Sequence, residues 1–384
     1  FNPGKTHESG MWPKNCPEIT FDPDTIPLPP YFPDTPKVRE AMARMYTNIE
    51  HCDRILGRLL TELEEDGLAE NTIVFHWSDH GPLPRGKRWP YDSGIRVPMV
   101  VRWPESLEPG TVSDALISTV DLAPTVMSLC GLDIPAHMQG QPFIGPQAQS
   151  REYIFASRDR YDESYDMIRA VRDTRYKYMR NYRPEQPYML WVPYRNRHPI
   201  VEEMYRLHLE GSLDGPQSLM FQPQRPVEEL YDTEEDPHEI NNLADNPVYE
   251  PVLKRMRTAL HDWQDTVGDM GHIPETEMVH NWYPGGRQPA TATPVFIPIT
   301  RDQCGVEPAA DGGALSGPAI LQLYCATQGA SIAYTFEQGE DVHWQLYTAP
   351  IRLPAGQSTI RAKAIRIGYR ESAEQRVTFL CDPV

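Results

Sequence analysis

Residues 71–104 read NTIVFHWSDHGPLPRGKRWPYDSGIRVPMVVRWP, which places a polar loop between two apolar segments. The apolar segments, 72–77 and 95–103, are short and rich in β-branched and aromatic residues, so we expect both to be buried strands. Asp79 and His80 follow the first of them directly. Because ligands of α/β proteins bind at the carboxyl ends of strands, this pair is well placed for chemistry.

The run 81–87 also has the G-x-x-x-x-G-K spacing of a nucleotide-binding P-loop. A P-loop needs consecutive backbone N–H groups, a Ser or Thr after the Lys, and a helix that begins there. Pro82 and Pro84 lack N–H groups, and Arg88 replaces the hydroxyl residue. The prolines and glycine that follow cannot open a regular helix. The stretch is therefore not a nucleotide-binding loop.

The overall charge excludes one class of function. The chain has 384 residues, with 36 basic and 54 acidic side chains and a formal charge of −18. This balance argues against a protein that binds nucleic acid by neutralising phosphates. Residues 81–104, however, contain a single acidic residue, Asp92. The basic residues of this range are Arg85, Lys87, Arg88, Arg96 and Arg102. This basic island favours a small anionic ligand, unless its charges are simply solvated.

Two further features set limits on the class of protein. No apolar run approaches the roughly 18 residues that span a bilayer, so we predict no membrane span. The six cysteines lack C-x-x-C spacing, which makes a zinc ribbon or a redox motif improbable on spacing alone.

Periodicity predicts the main elements. Apolar residues at steps of three and four mark a helix between Thr35 and Gly67, with Pro36 at its first turn. A second helix is expected to start near Asp121 and Pro124 and to stop at Gly131, and a third is expected at 247–267. The segment 167–182 alternates on either side of a two-residue Asp-Thr turn, which predicts a β-hairpin.

The pattern along the chain divides it into four parts. We expect an α/β catalytic core over 1–150 and a subdomain with the hairpin and a helix over 151–270. A Pro- and Gly-rich linker is predicted over 271–310. The final part, 311–384, contains short alternating strands between Gly and Pro turns, which is typical of a small β-sandwich.

The chemistry of the loop can be argued from residue types. A carboxylate and an imidazole at Asp79 and His80 can hold a divalent metal ion, although such a pair more often stabilises a turn. Lys87 can place a positive charge beside that ion and stabilise a developing oxyanion.

Taken together, the stretch 71–104 closely resembles the sulfatase family. That family has a strand, Ser-Asp-Asn/His-Gly, a loop that ends in Gly-Lys, a Tyr, a Gly and an Arg-Val-Pro. Residues 120–132 (VDLAPTVMSLCGL) resemble its next helix, and 229–247 (ELYDTEEDPHEINNLADNP) resemble its C-terminal signature. The resemblance covers roughly residues 1–268. It implies an α/β fold: an alkaline-phosphatase-like core, incomplete at its N-terminus, with a small antiparallel subdomain and an appended all-β sandwich.

The resemblance also implies roles for particular residues. Asp79 and His80 match the positions that bind Ca²⁺, and Lys87 matches the lysine that contacts the sulfate. His7 is the best match to a histidine that contacts the sulfate or protonates the leaving group. Apart from the resemblance, the charge of the segment before the hairpin makes Arg160, with Arg158 and Asp162, a weaker candidate for lining the substrate pocket, since a structural salt bridge explains such charge clusters better.

One feature of the family is missing. Its nucleophile is a formylglycine made from the Cys or Ser of a C/S-x-P-x-R motif, and this sequence has no such motif. We therefore expect the chain to be the C-terminal portion of a longer, secreted or periplasmic enzyme, inactive without the N-terminal segment that carries the nucleophile.

Three functions stay open at this point. The first is a calcium-dependent sulfatase acting on a sulfated sugar or a glycosaminoglycan-like chain. The second is a phosphodiester or phosphonate hydrolase of the same superfamily, since His80 replaces the commoner Asn. The third is a non-catalytic module. Residues 332–379 resemble the C-terminal β-sandwich of chitobiase and hexosaminidase-type enzymes, which favours a polysaccharide-directed protein.

Overall fold

The fold is mixed α/β with several sheets, in a computed structural model that describes residues 18–82, 85–104, 106–161, 164–190, 192–300, 308–317, 319–366 and 368–382. The chain divides into two units, Phe1–His272 and Ile273–Val384. Each unit has its own hydrophobic core.

The first unit combines helices with two antiparallel sheets. Its helices and strands in chain order are α1 (Pro36–Glu65), β1 (Val74–Trp77), α2 (Asp92–Ile95), β2 (Met99–Arg102), α3 (Leu122–Leu129), β3 (Ile154–Arg158), β4 (Ile168–Arg172), β5 (Tyr176–Asn181), α4 (Pro193–Asn196), α5 (Pro199–Leu209), β6 (Glu228–Asp232) and α6 (Glu250–Val267).

The larger sheet has the strand order β3-β4-β5-β6, antiparallel throughout. The predicted hairpin is β4–β5, with Arg172 opposite Lys177. Its turn lies one residue later than expected, because the Asp173 N–H donates to the Tyr176 carbonyl at 3.0 Å. The Asp173 carboxylate also accepts from the Arg175 N–H at 2.8 Å, an Asx-type turn.

Both faces of this sheet are covered, because successive side chains of a strand point to opposite faces. On one face Val171, Tyr178 and Leu230 pack with α6, and Phe155 stacks on Trp263 with ring centroids 4.9 Å apart. On the other face the core includes residues of α1, α5 and the loop before α2. The predicted helix over 247–267 is thus confirmed as α6.

Helix α1 forms where its capping residues predicted. Thr35 is the N-cap and its side chain accepts from the Val38 N–H, and Pro36 occupies the first turn. The apolar stripe is not buried along its whole length. Val38 is fully buried, whereas Ile49 and Leu59 are 51% and 40% exposed. Only the N-terminal half of the stripe therefore contributes strongly to the core.

Strands β1 and β2 form where the apolar segments predicted, but they are not buried. They pair antiparallel with each other, with Val74 opposite Arg102. Within the described residues no further strand joins this sheet. Trp77 and Val100 are 42% and 60% exposed as a result. The expectation of buried strands was wrong because short apolar runs do not reveal how many neighbours a strand has.

The second unit is largely β-structure. Its elements are α7 (Glu275–Trp282), β7 (Val295–Ile299), β8 (Gly313–Leu315), β9 (Ala319–Tyr324), β10 (Ser331–Thr335), β11 (Gln345–Leu346), β12 (Ile351–Leu353), β13 (Gly356–Ile365) and β14 (Gln375–Cys381). They form one sheet in the order β11-β10-β13-β14-β8 and another in the order β12-β9-β7. Alternate residues of both sheets share one core, which is the arrangement of a β-sandwich.

The structure differs from the predicted linker over 271–310. This segment contains α7 and also β7, which pairs with β9 from Val295 opposite Tyr324 to Ile299 opposite Ile320. Pro298 obscured the strand in the sequence. Because β7 lies at the edge of its sheet, a proline is tolerated there.

None of the helices in the described ranges combines the length and apolar content that crossing a membrane requires.

Candidate active site

Asp79 and His80 lie directly after β1, where the sequence predicted a polar pair. The Asp79 side chain is exposed and that of His80 is largely buried. The ring Nδ1 of His80 lies 2.8 Å from the Gly81 carbonyl oxygen, so Nδ1 is the protonated nitrogen that donates this hydrogen bond. The Ser78 hydroxyl donates to the His80 carbonyl at 2.8 Å.

This arrangement fits a metal-binding pair. With Nδ1 protonated, Nε2 carries a lone pair, which is the form of histidine that binds metals. It lies 3.4 Å from Oδ2 of Asp79, so the two potential ligand atoms are neighbours. No cluster of three or more metal-ligating side chains occurs in the described ranges. A cation would therefore need further ligands besides these two.

The glycines of the loop serve close backbone packing. A β-carbon on Gly81 would lie 1.8 Å from the Ser93 carbonyl oxygen, and one on Gly94 would lie 2.1 Å from that of Gly86. The Gly81 N–H donates to the Gly94 carbonyl at 2.9 Å, and the Lys87 N–H donates to the Pro82 carbonyl at 3.1 Å. These N–H groups are used inside the loop, which confirms that the run is not a phosphate-binding P-loop.

Lys87 lies next to a strained position. Arg88 has a φ of +82°, in a region that side chains other than glycine rarely adopt. Its guanidinium carbon lies 3.6 Å from the ring centroid of Tyr161. Strained backbone persists where surrounding contacts hold it and is common at functional sites. Lys87 itself is half-buried in the loop.

The loop is anchored to the C-terminal signature through Arg85. Its guanidinium donates to the carbonyl oxygens of His238 at 2.6 Å and Glu239 at 2.7 Å. It also lies over the rings of Tyr91 and Tyr31, 3.8 and 4.8 Å from their centroids. One residue of the basic island is thus a structural anchor, and the sequence alone did not distinguish it from the others.

A buried ion cluster provides a second anchor. Lys177 contacts the carboxylates of both Asp92 and Glu239, the latter at 2.7 Å, and Arg172 donates to Asp92 at 3.2 Å. The Asp92 N–H donates to Glu239 at 2.6 Å. Burial raises the pKa of Glu239 in spite of the Lys177 charge. Burial opposes ionisation of Asp92 too, but Lys177 and Arg172 outweigh it and lower the Asp92 pKa.

Glu229 forms the third anchor. Its carboxylate accepts hydrogen bonds from the hydroxyls of Tyr91, Tyr231 and Tyr188 at 2.8, 2.7 and 3.1 Å, and from the Asn181 amide at 2.6 Å. Burial and the Glu229 charge raise the pKa of Tyr91 well above its usual value. Tyr91 therefore holds the loop in place as a neutral donor.

The other two predicted site residues are His7 and Arg160. His7 lies outside the described residues. Arg160 is exposed, and its guanidinium carbon lies 5.6 Å from the ring centroid of Tyr165. Its neighbour Arg158 is instead buried, 3.8 Å from the Trp89 ring centroid. Nothing in the sequence pointed to Arg195, which is also buried.

Comparison with known proteins matches this arrangement to one family. The sequence profile described as Sulfatase matches residues 6–132. The profile described as N-sulphoglucosamine sulphohydrolase, C-terminal, matches residues 80–208 and so includes Lys87 and the β4–β5 hairpin. An ulvan-active sulfatase of Formosa agariphila is 40% identical over 97% of this chain and 60% of its own length. The chain belongs to the sulfatase family.

Further relatives agree with this assignment. The N-sulphoglucosamine sulphohydrolase of Homo sapiens is 29% identical to this sulfatase chain over 67% of the chain and 54% of the relative. The sulfatase chain thus spans little more than half of each of these two relatives. A phosphonate monoester hydrolase structure from Silicibacter pomeroyi aligns over 66% of the chain and 52% of its own, with 18% identity and a TM-score of 0.46. A likeness of that level does not bear on activity.

Proposed function

We propose that the protein containing this chain hydrolyses sulfate esters of a sulfated carbohydrate, with the loop 79–92 forming one side of its active site. The observation that carries the proposal is that one loop presents the Asp79–His80 pair and Lys87. Three buried anchors hold that loop. The names of the relatives, an ulvan-active sulfatase and a sulphoglucosamine sulphohydrolase, support a sulfated saccharide as substrate. A secreted or periplasmic location is proposed with it, because such polysaccharides are extracellular.

In the proposed mechanism Lys87 contacts the sulfate. Negative charge develops on the sulfate oxygens as the S–O bond breaks, and a fixed ammonium stabilises that charge without reorganising. His7 would donate a proton to the leaving oxygen of the sugar. The nucleophile would be a formylglycine from a C/S-x-P-x-R motif, which this sequence lacks, so we assign it to a segment outside the sequence.

Asp79 and His80 would hold a calcium ion. A bound divalent cation supplies positive charge that polarises the sulfate. The Asp79 carboxylate is a hard oxygen ligand that suits calcium, whereas the imidazole of His80 suits transition metals better. The second candidate function, hydrolysis of phosphonate or phosphodiester bonds, rests on His80, which replaces the Asn that is commoner in the sulfatase pattern.

A comparison of substrates distinguishes the two candidates. The longer protein that includes this chain would be assayed with aryl sulfate, sulfated oligosaccharide, aryl phosphonate and bis-aryl phosphate at equal concentration. We expect kcat/KM to be highest for the sulfate substrates. A higher kcat/KM for the phosphonate or the phosphodiester would favour the second candidate, and no turnover of any of them would favour a non-catalytic protein.

Metal removal provides an independent prediction. Treatment with EGTA is expected to abolish sulfate release, and added Ca²⁺ is expected to restore it. Asp79→Ala should lower activity by about 10²-fold or more, because the cation loses a charged ligand. Asp262→Ala, at an exposed position of α6, is the matched control. Restoration by Mn²⁺ or Zn²⁺ and not by Ca²⁺ would contradict the calcium assignment.

A further inference from the structure

A group of buried arginines lies beside the proposed active-site loop, and we define it as the arginine cluster: Arg158, Arg195 and Arg225. Their exposed fractions are 8%, 1% and 4%. The cluster adjoins the loop through Trp89, two residues after Lys87, because the Arg158 guanidinium lies 3.8 Å from the Trp89 ring centroid.

The negative charge at the cluster does not balance its positive charge. Asp166 is fully buried and accepts two hydrogen bonds from Arg225, at 2.8 and 2.6 Å. Arg158 shares the same carboxylate more loosely, at 3.3 Å. No carboxylate of the described residues forms an ion pair with Arg195, whose side chain donates to the Leu190 carbonyl. Among the described residues, three guanidinium groups face one carboxylate, which leaves two positive charges without a described counter-charge.

Several N–H groups of the cluster also have no acceptor within the described part of the chain. They are Nε and Nη1 of Arg158 and Nε of Arg195, joined by the indole Nε1 of Trp89. Buried polar groups of native proteins are almost always hydrogen-bonded, and an exception calls for a bound ion or water. Water could satisfy the hydrogen bonds but not the charge.

The electrostatics agree with an incomplete site. Burial is the main cause that lowers the pKa of Arg158 to about 10; the charges of Arg225 and Arg195 act in the same direction, and Asp166 opposes them. Burial likewise lowers the pKa of Arg195 to about 10, with a contribution from the Arg88 charge. The guanidinium groups are thus near enough to repel one another, and an anion among them would remove that repulsion.

We infer that Arg158, Arg195 and the indole N–H of Trp89 bind an oxyanion, a sulfate or carboxylate group that the sugar substrate carries in addition to the sulfate at Lys87. Guanidinium groups suit such ligands because their N–H donors match the spacing of two oxyanion oxygens. The identity of the ligand rests on the proposed function, whereas the existence of an anion site does not. The site would make the protein select polyanionic saccharides over singly sulfated ones.

Sulfate binding would be measured in a Lys87→Ala background, so that the proposed reaction site does not contribute. The probes are sodium sulfate and, at equal ionic strength, sodium chloride, read by the thermal midpoint and by calorimetry. We expect sulfate to raise the midpoint more than chloride does. Arg195→Met or Arg158→Met should weaken sulfate binding about ten-fold or more, as loss of a charge-assisted hydrogen bond does. Arg58→Met, at an exposed position of α1, should bind sulfate unchanged.

The direction in which Arg195→Met changes the thermal midpoint distinguishes an anion site from a structural ion pair. Without sulfate, Arg195→Met should raise the thermal midpoint, because it removes a buried charge that has no counter-charge among the described residues. An arginine that is structurally paired would give a lower midpoint. A lower midpoint in Arg195→Met, or equal effects of sulfate and chloride, would overturn the inference.

The source of the anion is tested with saccharides. A multiply sulfated oligosaccharide should bind more weakly to Arg195→Met than to the Lys87→Ala parent, and its desulfated form should bind both equally. If only inorganic sulfate distinguishes the two proteins, the site does not recognise the substrate. If the longer enzyme turns over sulfate esters but Arg195→Met does not change binding, this site is refuted and the proposed function stands. If the site binds sulfate but the enzyme turns over no sulfate ester, the site stands and the proposed function is refuted.

Discussion

Lys87→Ala is expected to lower kcat for sulfate release by about 10²- to 10³-fold, the range observed when a single donor to a developing oxyanion is removed. The structure explains why no neighbouring cation would take the place of Lys87. The loop backbone is fixed by contacts such as the Gly81–Gly94 hydrogen bond of 2.9 Å, so another cation cannot move into its place. The measurement is steady-state kinetics of the longer enzyme on an aryl sulfate.

Two controls define what this result means. Lys87→Arg keeps the charge and should lose less activity than Lys87→Ala. Lys37→Ala removes a lysine on α1 that pairs with Glu202 at 2.9 Å, and it should leave kcat unchanged. If kcat of Lys87→Ala equals that of the unmodified enzyme, Lys87 is not part of the reaction site.

Lys177→Met is expected to lower the free energy of unfolding of the first unit by about 3–5 kcal/mol, the cost of removing one partner from a buried ion pair. The Lys177 side chain is fully buried between Asp92 and Glu239, which are 7% and 1% exposed. Without the ammonium, two carboxylates would face each other in the core, with Arg172 beside Asp92 and Arg85 near Glu239 as the remaining cations. Urea unfolding at pH 7 measures the effect.

A second substitution tests whether unpaired charge causes the loss of stability in Lys177→Met. Adding Glu239→Gln to Lys177→Met should recover part of the lost stability, because one of the two stranded charges is then neutral. Lys254→Met, on the exposed side of α6, serves as the control and should change stability by less than about 0.5 kcal/mol. A double variant that is no more stable than Lys177→Met would show that charge is not the cause.

Local signals in the sequence were sufficient for several elements. The cap at Thr35 and the stop near Gly67 bounded α1, and alternation about the turn at Asp173 gave the β4–β5 hairpin. The Asp79–His80 pair and Lys87 became candidates because the loop has a distinctive pattern of Gly, Pro and basic residues. These features depend on neighbours in the chain, and the sequence lists such neighbours directly.

Features that depend on distant neighbours were not predictable. The partners of Asp92 and Tyr91 come from β5 and from Glu229 and Glu239, more than 80 residues away. The burial of Arg195 had no sequence signal, because an arginine in a polar segment is ordinarily exposed. The exposure of β1 and β2 depends in the same way on which strands pair beside them.

The Arg85 anchor joins two segments of the chain that the ribosome makes at different times. Its hydrogen bonds to His238 and Glu239 join residues that lie 153 and 154 positions apart in the chain. At about 5–20 residues per second, the ribosome adds Glu239 roughly 8 to 30 s after Arg85. The loop that carries Lys87 is thus synthesised well before the segment that fixes its shape. A nascent chain released before Glu239 would contain every predicted residue of the loop and still lack the clamp that sets their positions.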